Sequence, residues 1–202
     1  MVFIVNFTKP VILASGSPRR KELLTLAGFN FTVCPAKGEE VTTKTLPCDI
    51  VCELAHQKAF EIAKAQKAPC YVIGADTIVA FENRILGKPN DSADAVRMVS
   101  MLQGSTHQVY TGVTLIEVCA DGSLREKSFY EETNVHVCQM TKDEIASYVA
   151  TGEPLDKAGA YGIQGTFSIY VSGIEGDYFN VVGLPISRLY HEFAAFQNAA
   201  HK

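Results

Sequence analysis

Residues 11–24 read VILASGSPRRKELL and predict a β-strand that runs directly into an α-helix. The apolar run at residues 11–13 is typical of a short buried strand. Ser17 and Pro18 then supply the residues that helix starts favour, because a serine hydroxyl caps a backbone N–H and proline lacks the N–H that would be unpaired there. Gly28 follows the helical pattern and predicts a left-handed residue at the helix end.

Three cations crowd the first turn of this predicted helix. Arg19, Arg20 and Lys21 stand where free N–H groups and the helix macrodipole favour anions, at a cost of roughly 0.3–1 kcal/mol for each cation. A helix N-terminus combined with guanidinium groups is a phosphate-binding arrangement. A solvated basic turn would have the same sequence, so both interpretations stay open at this point.

The composition is that of a folded, mildly acidic protein. The chain has 202 residues, of which 47% are hydrophobic, and we expect a single domain over residues 1–202. Its net charge of −4 argues against nucleic-acid and anionic-membrane partners. Residues 1–7 lack the features of a signal peptide, and no run approaches the roughly 18 apolar residues of a membrane span. We therefore expect a cytoplasmic protein.

The six cysteines contain no CxxC pair, and no histidine stands at zinc-finger spacing. Most of them are interpreted as buried, reduced thiols that pack as small hydrophobic side chains.

The remaining periodicity predicts a mixed α/β fold, with a β-sheet flanked by helices. Further helices are expected at residues 46–67, 92–104, 141–152 and 185–196. Further strands are expected at residues 29–33, 70–75, 78–81, 108–118, 124–137, 167–171 and 178–182. The Asp121-Gly122 pair indicates a hairpin between two of these strands, which excludes an all-parallel sheet.

Several polar residues stand out against this pattern. Lys58 falls on the apolar stripe of the helix at residues 46–67, where it either snorkels to solvent or points into a cleft. Asp76 has strand-type residues on both sides, so it either caps a turn or serves in a cleft as a metal ligand or general base. Residues 153–165 are rich in glycine, but they match neither GxGxxG nor GxxxxGK[ST].

Six motifs, in order from about residue 11 to residue 190, resemble the Maf family of nucleoside triphosphate pyrophosphatases. They are SGSPRR at 15–20, GADT at 74–77, GKP at 87–89, HQVYTGV at 107–113, KAGAYGIQG at 157–165 and NVVGLP at 180–185. The resemblance implies an elongated mixed sheet in two lobes with the active-site cleft between them. It also implies a homodimer that cleaves a nucleoside triphosphate to the monophosphate and pyrophosphate with Mg²⁺ or Mn²⁺.

The same resemblance assigns roles to individual residues. The catalytic residues it implies are Asp76, Glu39 and Lys88, with Asp76 and Glu39 also holding the metal. The substrate-binding residues it implies are Ser17, Arg19, Arg20, Lys58, Thr77 and Gln164. Among these, Arg19, Thr77 and Gln164 match the positions that mark the branch acting on dTTP and UTP.

Three other functions are compatible with parts of this sequence. One is a pyrophosphatase for inosine- or xanthosine-type purine triphosphates, and another is a nucleotide-binding regulator of cell division without turnover. The presence of Asp76, Glu39 and Lys88 together argues against the regulator, because binding alone does not need acids facing a polyanion. An RNA-binding module is disfavoured by the acidic pI and by the absence of interleaved aromatic and basic residues.

Overall fold

The computed structural model describes residues 7–82 and 84–199, and the statements below concern those residues. The expectation for residues 1–7 therefore lies outside the described residues for its first six positions. The strands are β1 (Val11–Leu13), β2 (Phe31–Val33), β3 (Cys70–Phe81), β4 (Arg84–Leu86), β5 (Thr106–Val118), β6 (Leu124–Val137) and β7 (Val171–Glu175). The helices are α1 (Pro18–Leu26), α2 (Pro47–Lys64), α3 (Ser92–Leu102), α4 (Lys142–Ala150), α5 (Tyr178–Val182) and α6 (Ile186–Asn198).

The strands form one seven-stranded sheet in the order β2-β1-β3-β5-β6-β7, with β4 paired to β3. β1 runs parallel to both β2 and β3, whereas β4 is antiparallel to β3 and β7 is antiparallel to β6. A mixed sheet flanked by helices is thus confirmed.

The chain divides into two compact units. The first holds the described residues up to Asp76, Thr111–Glu131 and those from Gly183 onward, and the second holds Thr77–Tyr110 and Glu132–Val182. The cleft expected from the family resemblance stays a prediction.

In the first unit, α2 lies unusually close to the sheet. A Cβ atom on Gly74 of β3 would collide with the Ala55 carbonyl and lie 2.8 Å from the Ala59 side chain, and one on Gly112 of β5 would collide with the Val51 backbone. Only glycine permits such an approach of helix backbone to strand. The close packing fixes which α2 side chains can reach β3.

In the second unit, α3 and α4 cover an apolar cluster that includes Met98, Tyr148, Tyr161 and Phe167. The cap predicted for α4 is present, because the Thr141 hydroxyl accepts from the Glu144 N–H while the Glu144 carboxylate accepts from the Thr141 N–H.

The start of α1 agrees with the sequence prediction. The Ser17 side chain accepts a hydrogen bond from the Arg20 N–H, Pro18 is the first helical residue, and Gly28 has φ of +76°.

Two strand predictions are wrong. Residues 166–170 form a 3₁₀ segment that precedes β7, and its Phe167 is fully buried against Tyr148 and Tyr161. Residues 178–182 form the helix α5. The Asp177 carboxylate accepts from the Phe179 N–H, and the buried Asn180 amide donates to the Val109 carbonyl, so tertiary contacts override the strand-like composition.

The break predicted around Asp76 is also absent, because β3 continues without interruption from Cys70 to Phe81.

The interpretation of the cysteines was wrong in one respect. All six thiols are free, but only Cys70 is buried, and Cys34 and Cys138 are exposed. None of the helices in the described residues is long and apolar enough to cross a membrane.

Candidate active site

Asp76 and Lys58 meet because of the close packing of α2 on β3. Side chains two residues apart on a strand share a face, so Asp76 lies on the face where Gly74 meets α2. Lys58 lies on α2 between Ala55 and Ala59, the residues that contact Gly74. The Lys58 Nζ donates to the Asp76 Oδ1 at 2.6 Å. Lys58 therefore does not snorkel to solvent, and Asp76 caps no turn.

A second carboxylate completes this group. The Glu40 Oε1 lies 3.0 Å from the Lys58 Nζ. The side chains of Lys58 and Asp76 are 15% and 11% exposed, whereas that of Glu40 is 51% exposed. One ammonium group thus joins a nearly buried acid to an acid at the surface.

Glu40, rather than the predicted Glu39, makes the contact with Lys58. Glu39 is exposed, and within residues 7–82 and 84–199 it makes no hydrogen bond or ion pair. The sequence alone could not distinguish the two acids, because they are adjacent in one loop. The functional role assigned to Glu39 stays a prediction.

Arg20 is held in a fixed orientation at the N-terminus of α1. Its Nη1 donates to the Ser15 Oγ at 3.1 Å and its Nε donates to the Gly183 carbonyl at 2.9 Å. Burial lowers the pKa of Arg20 and the nearby Asp76 carboxylate opposes that shift, while the Arg19 charge adds to it. The guanidinium nevertheless keeps its charge at any physiological pH. A fixed cation thus lies close to Asp76.

The α1 terminus also brings together Ser17 and Arg19. The Ser17 hydroxyl is engaged as the helix cap, and Arg19 is partly buried one residue before Arg20. The Ser17 and Arg20 N–H groups already donate to the Ser15 and Ser17 hydroxyls, so the two guanidinium groups are the main donors for an anion at this helix start, and phosphate binding there stays a prediction.

Thr77, Lys88 and Gln164 belong to the second unit. Thr77 follows Asp76 in β3 and is partly buried, and Lys88 is exposed just after β4. The backbone links the Lys88 loop to the glycine-rich segment, since the Gly159 N–H donates to the Gly87 carbonyl at 3.0 Å. Gln164 is exposed in that segment.

A buried histidine anchors the same segment. The His107 Nε2 lies 2.7 Å from the Tyr161 hydroxyl, and both side chains are buried. Burial, assisted by the charge of His136, lowers the pKa of His107 to about 4. A neutral imidazole therefore holds Tyr161 at pH 7.

The donor set is compatible with a divalent cation. No group of three His, Cys, Asp or Glu side chains suited to a metal occurs in the part of the chain that the structure describes. Mg²⁺, however, is commonly held by one or two carboxylates together with substrate phosphates and water. Asp76 would supply one such carboxylate and an acid of the 39–40 loop another, and this metal site stays a prediction.

Comparison with known proteins identifies relatives over nearly the whole chain. A family model described as Maf-like protein matches residues 10–196. The dTTP/UTP pyrophosphatase of Agathobacter rectalis is 54% identical over 194 residues, covering 90% of this chain and 95% of that protein. Proteins of the same name from Lachnoclostridium phytofermentans and Bacillus thuringiensis are each 51% identical, covering 92% and 93% of this chain and 94% and 96% of their own lengths.

Similarity to solved structures is weaker. A nucleoside-triphosphatase described as a dITP/XTP pyrophosphatase, from Mycobacterium abscessus, superposes with a TM-score of 0.41 at 11% identity, covering 96% of this chain and 97% of that one. A TM-score of this size supports no conclusion about shared activity.

Proposed function

Because the chain belongs to the Maf family, we propose that it is a nucleoside triphosphate pyrophosphatase that converts dTTP and UTP to the monophosphate and pyrophosphate. The observation that carries the proposal is the nearly buried Asp76 carboxylate, held by Lys58 and close to the fixed Arg20 cation. The relatives of that name, 51–54% identical over most of the chain, support the choice of substrates.

The triphosphate would be bound by cations and by the N-terminus of α1. A nucleoside triphosphate carries close to four negative charges, and preorganised donors stabilise the charge that develops as the bond breaks. Arg20, Lys58 and Ser17 are proposed to contact phosphate oxygens in the first unit, and Lys88 is proposed to stabilise the leaving pyrophosphate.

Asp76 is proposed to act on the attacking water. The water oxygen bonds to the α-phosphorus, the bond to the β-phosphate oxygen breaks, and pyrophosphate leaves with the electron pair while the Asp76 carboxylate takes the water proton. Lys58 holds the Asp76 Oδ1 in place for this transfer. Mg²⁺ or Mn²⁺, when bound by Asp76 and an acid of the 39–40 loop, would neutralise part of the triphosphate charge.

Analysis of the products tests this function. With Mg²⁺ present, UTP and dTTP are each expected to give monophosphate and pyrophosphate in equal amounts, measured by ion-exchange chromatography with ITP and GTP as comparison substrates. Diphosphate accumulating with orthophosphate would contradict the proposed bond cleavage. Faster hydrolysis of ITP would favour a purine triphosphate pyrophosphatase, and binding without turnover would favour a regulator.

A matched pair of variants distinguishes the two acids of the loop. We expect Glu40→Gln to lower kcat/KM for UTP by about tenfold or more, because the amide oxygen can still accept from the Lys58 Nζ but the negative charge that pairs with Lys58 is lost. Glu39→Gln is expected to stay within about twofold of the unmodified enzyme, because Glu39 forms no ion pair among the described residues and its charge faces no cation there. Steady-state kinetics on both variants measure the two losses. A larger loss of kcat/KM in Glu39→Gln than in Glu40→Gln would assign the functional role to Glu39.

A homodimer and a cytoplasmic location are further parts of the proposal. The family resemblance supports the first, and the six free thiols support the second. Sedimentation equilibrium of the purified protein would test the dimer.

A further inference from the structure

Gln164 sits on a tight turn. The Gly165 N–H donates to the Gly162 carbonyl at 3.1 Å, which makes Ile163 and Gln164 the central residues of a four-residue turn. The Gln164 side chain is exposed, and no described residue holds it directly. Its position is consequently set by whatever holds the backbone of the turn.

One carboxylate holds this turn at its C-terminal end. The Glu153 Oε2 accepts from the Thr166 N–H at 2.8 Å, two residues beyond Gln164. The Glu153 Oε1 accepts from the Tyr148 hydroxyl at 3.3 Å, and Tyr148 is buried. Through Glu153, the turn is tied to the rigid helix α4.

The backbone of Glu153 is fixed as well. Its N–H donates to the Thr151 Oγ1 at 3.2 Å, and its carbonyl accepts from the Lys157 Nζ at 2.6 Å. Its carboxylate therefore has a defined position.

The turn is closely packed against the side chains of Glu153 and Lys157. A Cβ atom on Gly165 would collide with the Glu153 carboxylate, and one on Gly162 would lie 2.8 Å from the Lys157 Cε. A real Cβ essentially never comes so near. The Glu153 carboxylate therefore lies directly against the backbone of the turn.

We propose that Glu153 is a positioning residue that fixes the orientation of Gln164 and thereby helps to select the nucleobase. The inference rests on the proposed function and on the substrate-binding role that the family resemblance gives Gln164, taken here as a contact with the base. Glu153 itself touches neither substrate nor reacting atoms. Its loss would release the Thr166 N–H and let the turn shift, so a contact with the correct base would be weakened while phosphate binding in the first unit would not.

The test compares the ratio of kcat/KM for UTP to kcat/KM for CTP in a set of variants. Glu153→Ala is expected to lower this ratio about tenfold, because a charge-assisted hydrogen bond that positions the turn is lost. Glu153→Gln is expected to keep the ratio within about threefold, since its amide oxygen can still accept from the Thr166 N–H. Glu175→Gln is the matched control, an exposed acid of the same unit that contacts His136 and not the turn.

The outcomes separate positioning from a general structural role. Equal losses for UTP and CTP in Glu153→Ala, with an unchanged ratio, would overturn the inference, and so would a ratio in Glu153→Gln as low as in Glu153→Ala. If Glu153→Ala does not fold, Tyr148→Phe replaces it, because it removes the hydroxyl that bonds both Glu153 and the Gly162 backbone of the turn, and an unchanged ratio there would overturn the inference. An unmodified enzyme that does not hydrolyse UTP would instead refute the proposed function.

Discussion

Asp76→Asn is expected to lower kcat for UTP by roughly 10²–10⁴-fold, the usual contribution of a positioned general base. The asparagine has the same shape, and its amide oxygen can still accept from the Lys58 Nζ, whose second partner Glu40 is unchanged. The packing of α2 on β3 should therefore survive. What is lost is the capacity to accept a proton and the negative charge that a divalent cation requires.

The measurement is steady-state release of pyrophosphate, accompanied by thermal unfolding of the same preparation. Glu192→Gln is a suitable control, because Glu192 also pairs with a lysine in the same unit, 2.5 Å from the Lys127 Nζ, but lies on α6. Near-normal turnover in Asp76→Asn would show that Asp76 pairs with Lys58 but takes no part in the reaction. Loss of activity together with unfolding in both variants would point to stability rather than chemistry.

The parts of the fold that were predictable from the sequence depend on neighbouring residues. The cap at Ser17, the left-handed Gly28 and the capping box at Thr141 each involve residues within a few positions of one another. The strands predicted at residues 167–171 and 178–182 were wrong because the conformation there depends on distant partners, such as Glu153 for Thr166 and Val109 for Asn180.

In the candidate site, too, the sequence predicted what neighbouring residues determine and missed what distant contacts determine. The sequence placed Lys58 on an apolar stripe and Asp76 in a break between two strands, but it left the role of each open. The approach of α2 to Gly74 excludes a snorkelling Lys58 and a turn-capping Asp76, because it brings the two side chains to 2.6 Å from each other. The choice between Glu39 and Glu40 depends on the path of an irregular loop, which no periodic pattern predicts.

Base selection gives the other large expected effect. We expect kcat/KM for UTP and dTTP to exceed that for CTP by at least about 10²-fold, since a site built for hydrogen bonds rejects a mismatched partner strongly. Uracil and thymine present an acceptor at O4 and a donor at N3, and the amide of Gln164 can pair with both. An amide alone does not exclude cytosine, because when flipped over it matches the reversed pattern.

Arg19 is proposed to remove that ambiguity. A guanidinium has only donors, so if Arg19 points at O4 it opposes the amino group that cytosine carries there. Arg19→Ala should therefore lower the ratio of kcat/KM for UTP to kcat/KM for CTP. Gln164→Ala should lower kcat/KM for UTP and for dTTP by similar factors. Lys21→Ala serves as the control, since Lys21 is a neighbouring cation of α1 that lies exposed.

Competition kinetics with UTP and CTP in one mixture measure the ratio directly. An unmodified enzyme that took CTP or GTP as readily as UTP would refute the assignment of Arg19 and Gln164, and the role of Asp76 would be unaffected. If Arg19→Ala and Lys21→Ala changed the ratio equally, the selection would come from the general positive field of α1 rather than from one guanidinium. The two residues differ in burial, with Arg19 partly covered and Lys21 exposed, so a specific contact predicts that only the Arg19 variant changes the ratio.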